Sequence, residues 1–238
     1  MTQITYSCTF PLSRSLMASQ THWPLRIAHR GMPRLARENT LTSFALALAR
    51  GAEGIELDVH ATSDGVVVVH HDATLPNGTP INMLTRAELT EDAMPGAPMP
   101  TLADVCSLVK GRAELFVEIK GDGIEALVVQ ALSDYRGAAA IHSFDHALIR
   151  RISQSGTSRR LGILVESSVP EVSELMAQTG ASDVWPHHPL VTKALVDEVH
   201  DAGGRVIPWT VNGTRDIARM RAAGVDGICT DDVTLLSS

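Results

Sequence analysis

LRIAHRGMPRLARENTLTSFALALARGAEGIELDV, residues 25–59, sets two short apolar runs on either side of a helical stretch, and that alternation decides the fold. LRIAH (25–29) and GIELDV (54–59) read as buried strands. Between them Thr40 is placed to cap a helix. Leu41, Phe44, Ala45 and Leu48 make one apolar face, and Gly51 ends it. Strand, helix and strand in this order predict a parallel pair joined by a crossover.

The same unit recurs along the chain. ELFVEIK (114–120), AAAIHSF (138–144), LGILVE (161–166), DVWPH (183–187), RVIPWTV (205–211) and GICTD (227–231) continue the strands. Helical segments such as SFDHALIRRISQSG and HPLVTKALVDEVHDAGG lie between them. Eight strands in this rhythm predict an α/β fold closed as a (β/α)8 TIM barrel. An open doubly wound sheet should carry a glycine-rich phosphate loop after its first strand, and no G-x-G-x-x-G stands there. One connection departs from the rhythm. In HATSDGVVVVHHD the Asp64-Gly65 pair predicts a β-hairpin after strand two. Residues 73–100, rich in Pro, Gly and Asn, then form a long excursion expected on the catalytic face.

The 238 residues suit one barrel domain over 23–238, preceded by an N-terminal extension, 1–22. That extension has neither the apolar run nor the basic start of a secretory signal, so a cytoplasmic location is expected. Met17 is a second plausible start, and removing residues 1–16 is expected to leave activity unchanged. With 44% hydrophobic residues a large core is available, and a net charge of −7 without a Lys/Arg run argues against nucleic acid as a partner. No stretch is long and apolar enough for stable membrane insertion. Cys8, Cys106 and Cys229 are odd in number and lack metal-type spacing, so they read as free thiols.

Glu56 and Asp58 stand two apart on a strand, so both side chains point to one face. Two carboxylates confined together repel each other and need a cation or a shared proton. Glu118 and Lys120 repeat the spacing in VEIK on the next barrel strand. One such pair alone reads as a strand-end salt bridge. Two pairs on adjacent strands, with three carboxylates, make an oxygen site suited to Mg2+ or Ca2+, with Mn2+ also admissible and Zn2+ less so. His29 and Arg30 end the first strand, at the barrel edge where active sites form, and Gly31 permits an abrupt turn. His71 ends the hairpin that folds back beside Glu56 and Asp58, and strand alternation lets only one of His70 and His71 point inward. Two histidines near a metal site supply a proton acceptor and a proton donor. The three carboxylates contribute −3 and Arg30, Lys120 and a divalent ion +4, leaving +1, which matches a phosphodiester monoanion. His187 and His188 read as pocket lining or surface, and His60, His142, His146 and His200 as structural.

The ordered set His-Arg-Gly, Glu-Asn-Thr, Glu-x-Asp and His-Asp in IAHRGMPRLARENTLTSFALALARGAEGIELDVHATSDGVVVVHHDATL resembles the opening signature of the glycerophosphodiester phosphodiesterase family. The resemblance continues through VEIK, SFDHALIRRI, WTVN (209–212) and GVDGICTDD, and so covers nearly the whole chain. It implies Glu56, Asp58 and Glu118 as metal ligands, His29 and His71 as the acid–base pair, and Arg30 and Lys120 as phosphate contacts. It further implies Glu38 as a residue orienting the groups of the site, and Trp209 as an aromatic lining the substrate pocket. The implied reaction is metal-dependent hydrolysis of a small-molecule glycerophosphodiester to sn-glycerol 3-phosphate and an alcohol such as choline or ethanolamine. Two other readings are a phosphodiesterase acting on lysophospholipids or sphingolipids at a membrane surface, and a barrel that binds a phosphate compound without catalysis. The oligomeric state is not legible in the sequence.

Overall fold

The computed structural model describes residues 23–89, 96, 98–167 and 171–237. The expected extension, with Cys8 and Met17, lies outside them, as do residues 90–95 and 97 of the excursion. Eight parallel strands make the barrel: β1 (Leu25–His29), β2 (Gly54–Ala61), β4 (Glu114–Ile119), β5 (Ala139–Ser143), β6 (Arg160–Val165), β7 (Asp183–Pro186), β8 (Arg205–Val206) and β9 (Gly227–Thr230). The hairpin strand β3 (Val67–Val69) runs antiparallel to β2 outside that ring. Helices α1 (Leu41–Ala49), α2 (Leu102–Val109), α3 (Glu125–Ala131), α4 (His146–Gln154), α5 (Val172–Thr179), α6 (Lys193–Asp201) and α7 (Thr214–Ala223) fill the crossovers. After β9 a single 3-10 turn, Val233–Leu236, stands where an eighth helix would come.

The eighth strand is shorter than RVIPWTV suggested, because Pro208 has no N–H to give to a neighbour. The backbone bonding nonetheless runs on through it. Ile207 and Trp209 donate to Val184 and Pro186 on one side, while Val206 and Pro208 accept from Asp226 and Cys229 on the other. These bonds close the ring.

Two apolar layers result. Ile27, Phe116, Ala140, Leu164, Trp185, Ile207 and Cys229 fill the barrel interior, and a larger shell lies between strands and helices. Glycine makes room for the big rings. A Cβ on Gly54 would stand 2.7 Å from the Phe116 ring, and one on Gly162 3.1 Å from Trp185. The N-terminal end of the barrel is closed by charge: Arg205 bonds Glu114 and Asp183, Arg160 also bonds Asp183, and Arg205 lies over Phe116 at 5.6 Å. The excursion after the hairpin packs Leu75, Ile81, Leu89 and Met99 onto Val68 as a small separate core.

Helix α1 starts as expected, with the Thr40 hydroxyl accepting from the Ser43 N–H. Its buried face is turned from the expected one, however. Ser43, Phe44 and Ala47 face inward, whereas Leu41 is exposed. The inward serine is satisfied by backbone groups of the loop after β1, and that permits the shift.

Candidate active site

The chain leaves β1 at His29 through a bend that a β-strand cannot make alone. Arg30 has φ 53° and Gly31 φ 90°. A Cβ on Gly31 would lie 2.4 Å from the Ser43 hydroxyl, so glycine is required by space as well as by dihedral. Ser43 ties the bend to α1: its hydroxyl donates to the Arg30 carbonyl at 3.2 Å and accepts from the Met32 N–H at 2.7 Å. Asn39, also left-handed at φ 56°, donates its backbone N–H to the same carbonyl and its side-chain amide to Asp58 at 2.8 Å.

This loop delivers Arg30 over the carboxylates. Its N–H donates to Glu56 Oε2 at 3.1 Å, its Nε lies 3.1 Å from Asp58, and Glu38 holds Nη1 at 3.0 Å. Asp58 and Glu118 are register partners on β2 and β4, and Lys120 reaches both, at 3.6 and 2.9 Å. All three carboxylates are buried. Burial, reinforced by Asp58 and Glu118, pushes the Glu56 carboxyl well above the usual range, and burial with Asp58 raises Glu118 to about 7. Burial pushes Asp58 upward too, but Arg30, Lys120 and Asn39 outweigh it and hold that carboxyl low. The centre thus has more negative charge than its cations balance, the condition that favours a bound divalent ion or a retained proton. Among the described residues Glu56, Glu118 and His142 offer one donor atom each, all within 4.8 Å of one another, a group able to hold a metal ion.

Both candidate acid–base histidines are braced at Nδ1 by an aspartate. His29 meets Asp231 at 2.8 Å, and Asp231 is in turn bonded by the Asn212 amide at 2.7 Å. His71 meets Asp72 at 2.8 Å, and its carbonyl is held by His60 Nε2 at 3.1 Å. A carboxylate can only accept, so each Nδ1 carries the hydrogen and each Nε2 is left to exchange a proton.

Of the residues singled out from sequence, His29, Arg30, Glu56, His71, Glu118, Lys120 and Trp209 line one pocket. Asp58 lies beneath it, fully buried, and Glu38 stands behind Arg30. His142, assigned a structural role above, also lines this pocket, with its ring stacked on Trp185 at 4.4 Å. Alternation along AAAIHSF gives His142 a face but not a partner; the β4–β5 register is what sets it opposite Glu118. Asp231, Asn39 and Asn212 were likewise missed as braces, although they sit in the motifs CTDD, ENT and WTVN. His60 and His146 bond backbone carbonyls, and His200 bonds Asp226, as structural histidines do. His187 packs against Trp209 at 5.2 Å, and His188 bonds Arg219. Cys229 and Cys106 are free thiols as expected, the first buried and the second partly so.

Comparison with known proteins agrees with this geometry. The model of the glycerophosphoryl diester phosphodiesterase family matches residues 29–235. A glycerophosphodiester phosphodiesterase of Caldanaerobacter subterraneus is 32% identical over 87% of this chain and 94% of its own length. The solved glycerophosphodiester phosphodiesterase of Thermotoga maritima superposes with a TM-score of 0.79 at 25% identity, over 89% of this chain and 96% of that one. A phosphodiesterase of Oleispira antarctica, solved with the product sn-glycerol-3-phosphate, has a TM-score of 0.79 at 23% identity, covering 88% and 93% of the two chains, and is alike in fold. The bend after β1, the carboxylates on β2 and β4 and the match along almost the whole barrel agree: this chain belongs to the glycerophosphoryl diester phosphodiesterase family.

Proposed function

We propose that the protein hydrolyses glycerophosphodiesters to sn-glycerol 3-phosphate and an alcohol, with His29 and His71 as the acid–base pair and a divalent cation on the buried carboxylates. The observation that carries this reading is the meeting, in one pocket, of two aspartate-braced histidines with Arg30, Lys120 and the carboxylates of β2 and β4. The residues suit a cation: Asp58 Oδ1 is buried without a hydrogen-bond partner, and Glu56 is in an environment that resists its ionisation. Glu56, Asp58 and Glu118 would hold the ion, which would polarise a phosphate oxygen and offset their charge.

The chain's own groups do the rest. Arg30 and Lys120 face the phosphate and stabilise the charge that gathers on its oxygens. One histidine takes the proton of the attacking oxygen as its bond to phosphorus forms. The other gives a proton to the alcohol as the second P–O bond breaks. The attacking oxygen is water, or the neighbouring glycerol hydroxyl with a cyclic phosphate opened by water afterwards. Phe144, Trp209 and the Glu166 carboxylate form another wall of the pocket, a combination suited to a cationic alcohol such as choline or ethanolamine.

The test is release of choline and glycerol 3-phosphate from glycerophosphocholine after EDTA treatment and divalent-ion add-back. Metal-restored turnover that vanishes in Glu56→Ala and His71→Ala is the expected result. Absence of turnover on glycerophosphocholine, glycerophosphoethanolamine and an aryl phosphodiester under every ion would overturn the reading. A cyclic phosphate accumulating in His29→Ala or His71→Ala would identify the internal hydroxyl as nucleophile.

A further inference from the structure

We infer that His142 is a direct nitrogen ligand of the cation, and that the centre therefore favours Fe2+, Co2+ or Zn2+ over the Mg2+ or Ca2+ that an all-oxygen site would take. This rests on the metal-assisted reading above and narrows it. His142 is 1% exposed, yet neither ring nitrogen has a hydrogen-bond partner. Buried polar atoms in native proteins are nearly always satisfied, and an orphaned donor or acceptor is destabilising. His60 and His146 meet the rule by bonding carbonyl oxygens. At His142 no such group is offered, and the ring instead looks onto the carboxylates.

The distance from His142 to Glu56 is that of two ligands sharing an ion. Nε2 lies 4.0 Å from Glu56 Oε1, too far for a hydrogen bond. Two donors bound at about 2.1 Å to one centre can stand up to about 4.2 Å apart. Glu118 faces His142 across the β4–β5 register and offers a third donor atom, all three lying within 4.8 Å of one another. The ring is also held in one orientation. It lies nearly parallel to Trp185, at 9°, and Gly162 leaves the space that this stack occupies. A rigid imidazole beside two carboxylates is a mixed nitrogen–oxygen donor set. Imidazole favours iron, cobalt, nickel, copper and zinc, whereas Mg2+ and Ca2+ prefer oxygen alone.

The decisive measurement needs no activity. The full chain, stripped of metal and loaded with Mn2+ as a paramagnetic probe, would be examined by electron spin echo modulation, with histidine at natural abundance and then labelled with 15N. A directly coupled nitrogen that changes with the label, and is lost in His142→Gln, is expected. Calorimetric titration should show Co2+ binding at least about tenfold more tightly than Mg2+ in the wild type, with that gap shrinking in His142→Gln. A bound ion without nitrogen coupling, or with equal affinity for Co2+ and Mg2+, would overturn the inference and leave the metal-assisted reading standing. If no divalent ion binds at all, both fall. The wild-type spectrum stands by itself if His142→Gln does not fold.

Discussion

In the proposed reaction His29 exchanges a proton through Nε2, and Asp231 favours the tautomer this needs by holding Nδ1 at 2.8 Å. Asp231 is ready for the task. Burial raises its carboxyl, but the bond to His29 and the Asn212 amide bring it below the ordinary value, so it remains an acceptor. Asp231→Asn should lower kcat by about 10–100-fold with KM little changed and the circular dichroism spectrum intact. Glu118 makes a second prediction, in pH. Its carboxyl is raised from 4.5 to about 7, so the metal-free folded protein holds an extra proton between those values. The contribution of Glu118 to stability is therefore fully present below the lower value and is lost as pH rises through the upper one. Melting temperatures of EDTA-treated protein should fall across this window, and a divalent ion should restore more of the loss above about pH 7 than below about pH 5. Glu56, Asp58, Glu118 and Lys120 were legible because a two-residue spacing on a strand fixes their common face. Asp231 and His142 were not. The role of each depends on a partner from another strand, which only the closed barrel supplies.

Helix α1 belongs to the site as much as to the outer layer. Its Ser43 replaces an apolar residue on the inward face and spans the bend at Arg30 and Met32. Gly31→Ala would place a methyl against that hydroxyl and force a left-handed dihedral on alanine. It should cost about 1–3 kcal/mol in urea unfolding and misplace Arg30, raising KM more than Ser43→Ala does. The apolar periodicity of the helix located it and its cap correctly. It misjudged the face, because periodicity cannot register that a buried hydroxyl is satisfied by a neighbouring loop. Pro208 taught the same lesson in a strand: the run RVIPWTV bonds on both sides as expected, yet proline removes a donor from its middle.

The barrel as a whole separates two kinds of charge. At the N-terminal end Arg205 and Arg160 enclose Asp183, which is fully buried, and the network is complete in itself. Arg205→Ala should cost about 3–5 kcal/mol in denaturant unfolding, because it leaves part of that charge unanswered, while kcat and KM of the folded enzyme stay unchanged. At the opposite end the charge is unbalanced, and there the chemistry belongs. The barrel itself was plain in the strand–helix rhythm. Its closure between β8 and β9 depended on backbone bonds that no side-chain pattern announces. One consequence follows from where the two histidines are mounted. His29 ends a strand paired on both sides within the ring, whereas His71 follows β3, a three-residue strand outside it that is held by β2 on one side and by Pro100 and Thr101 of the excursion's end on the other. One half of the proposed acid–base pair is part of the frame and the other is carried on a bracket. Amide hydrogens of the bracket should exchange faster than those of the frame, and mild urea should silence the enzyme before the barrel itself melts.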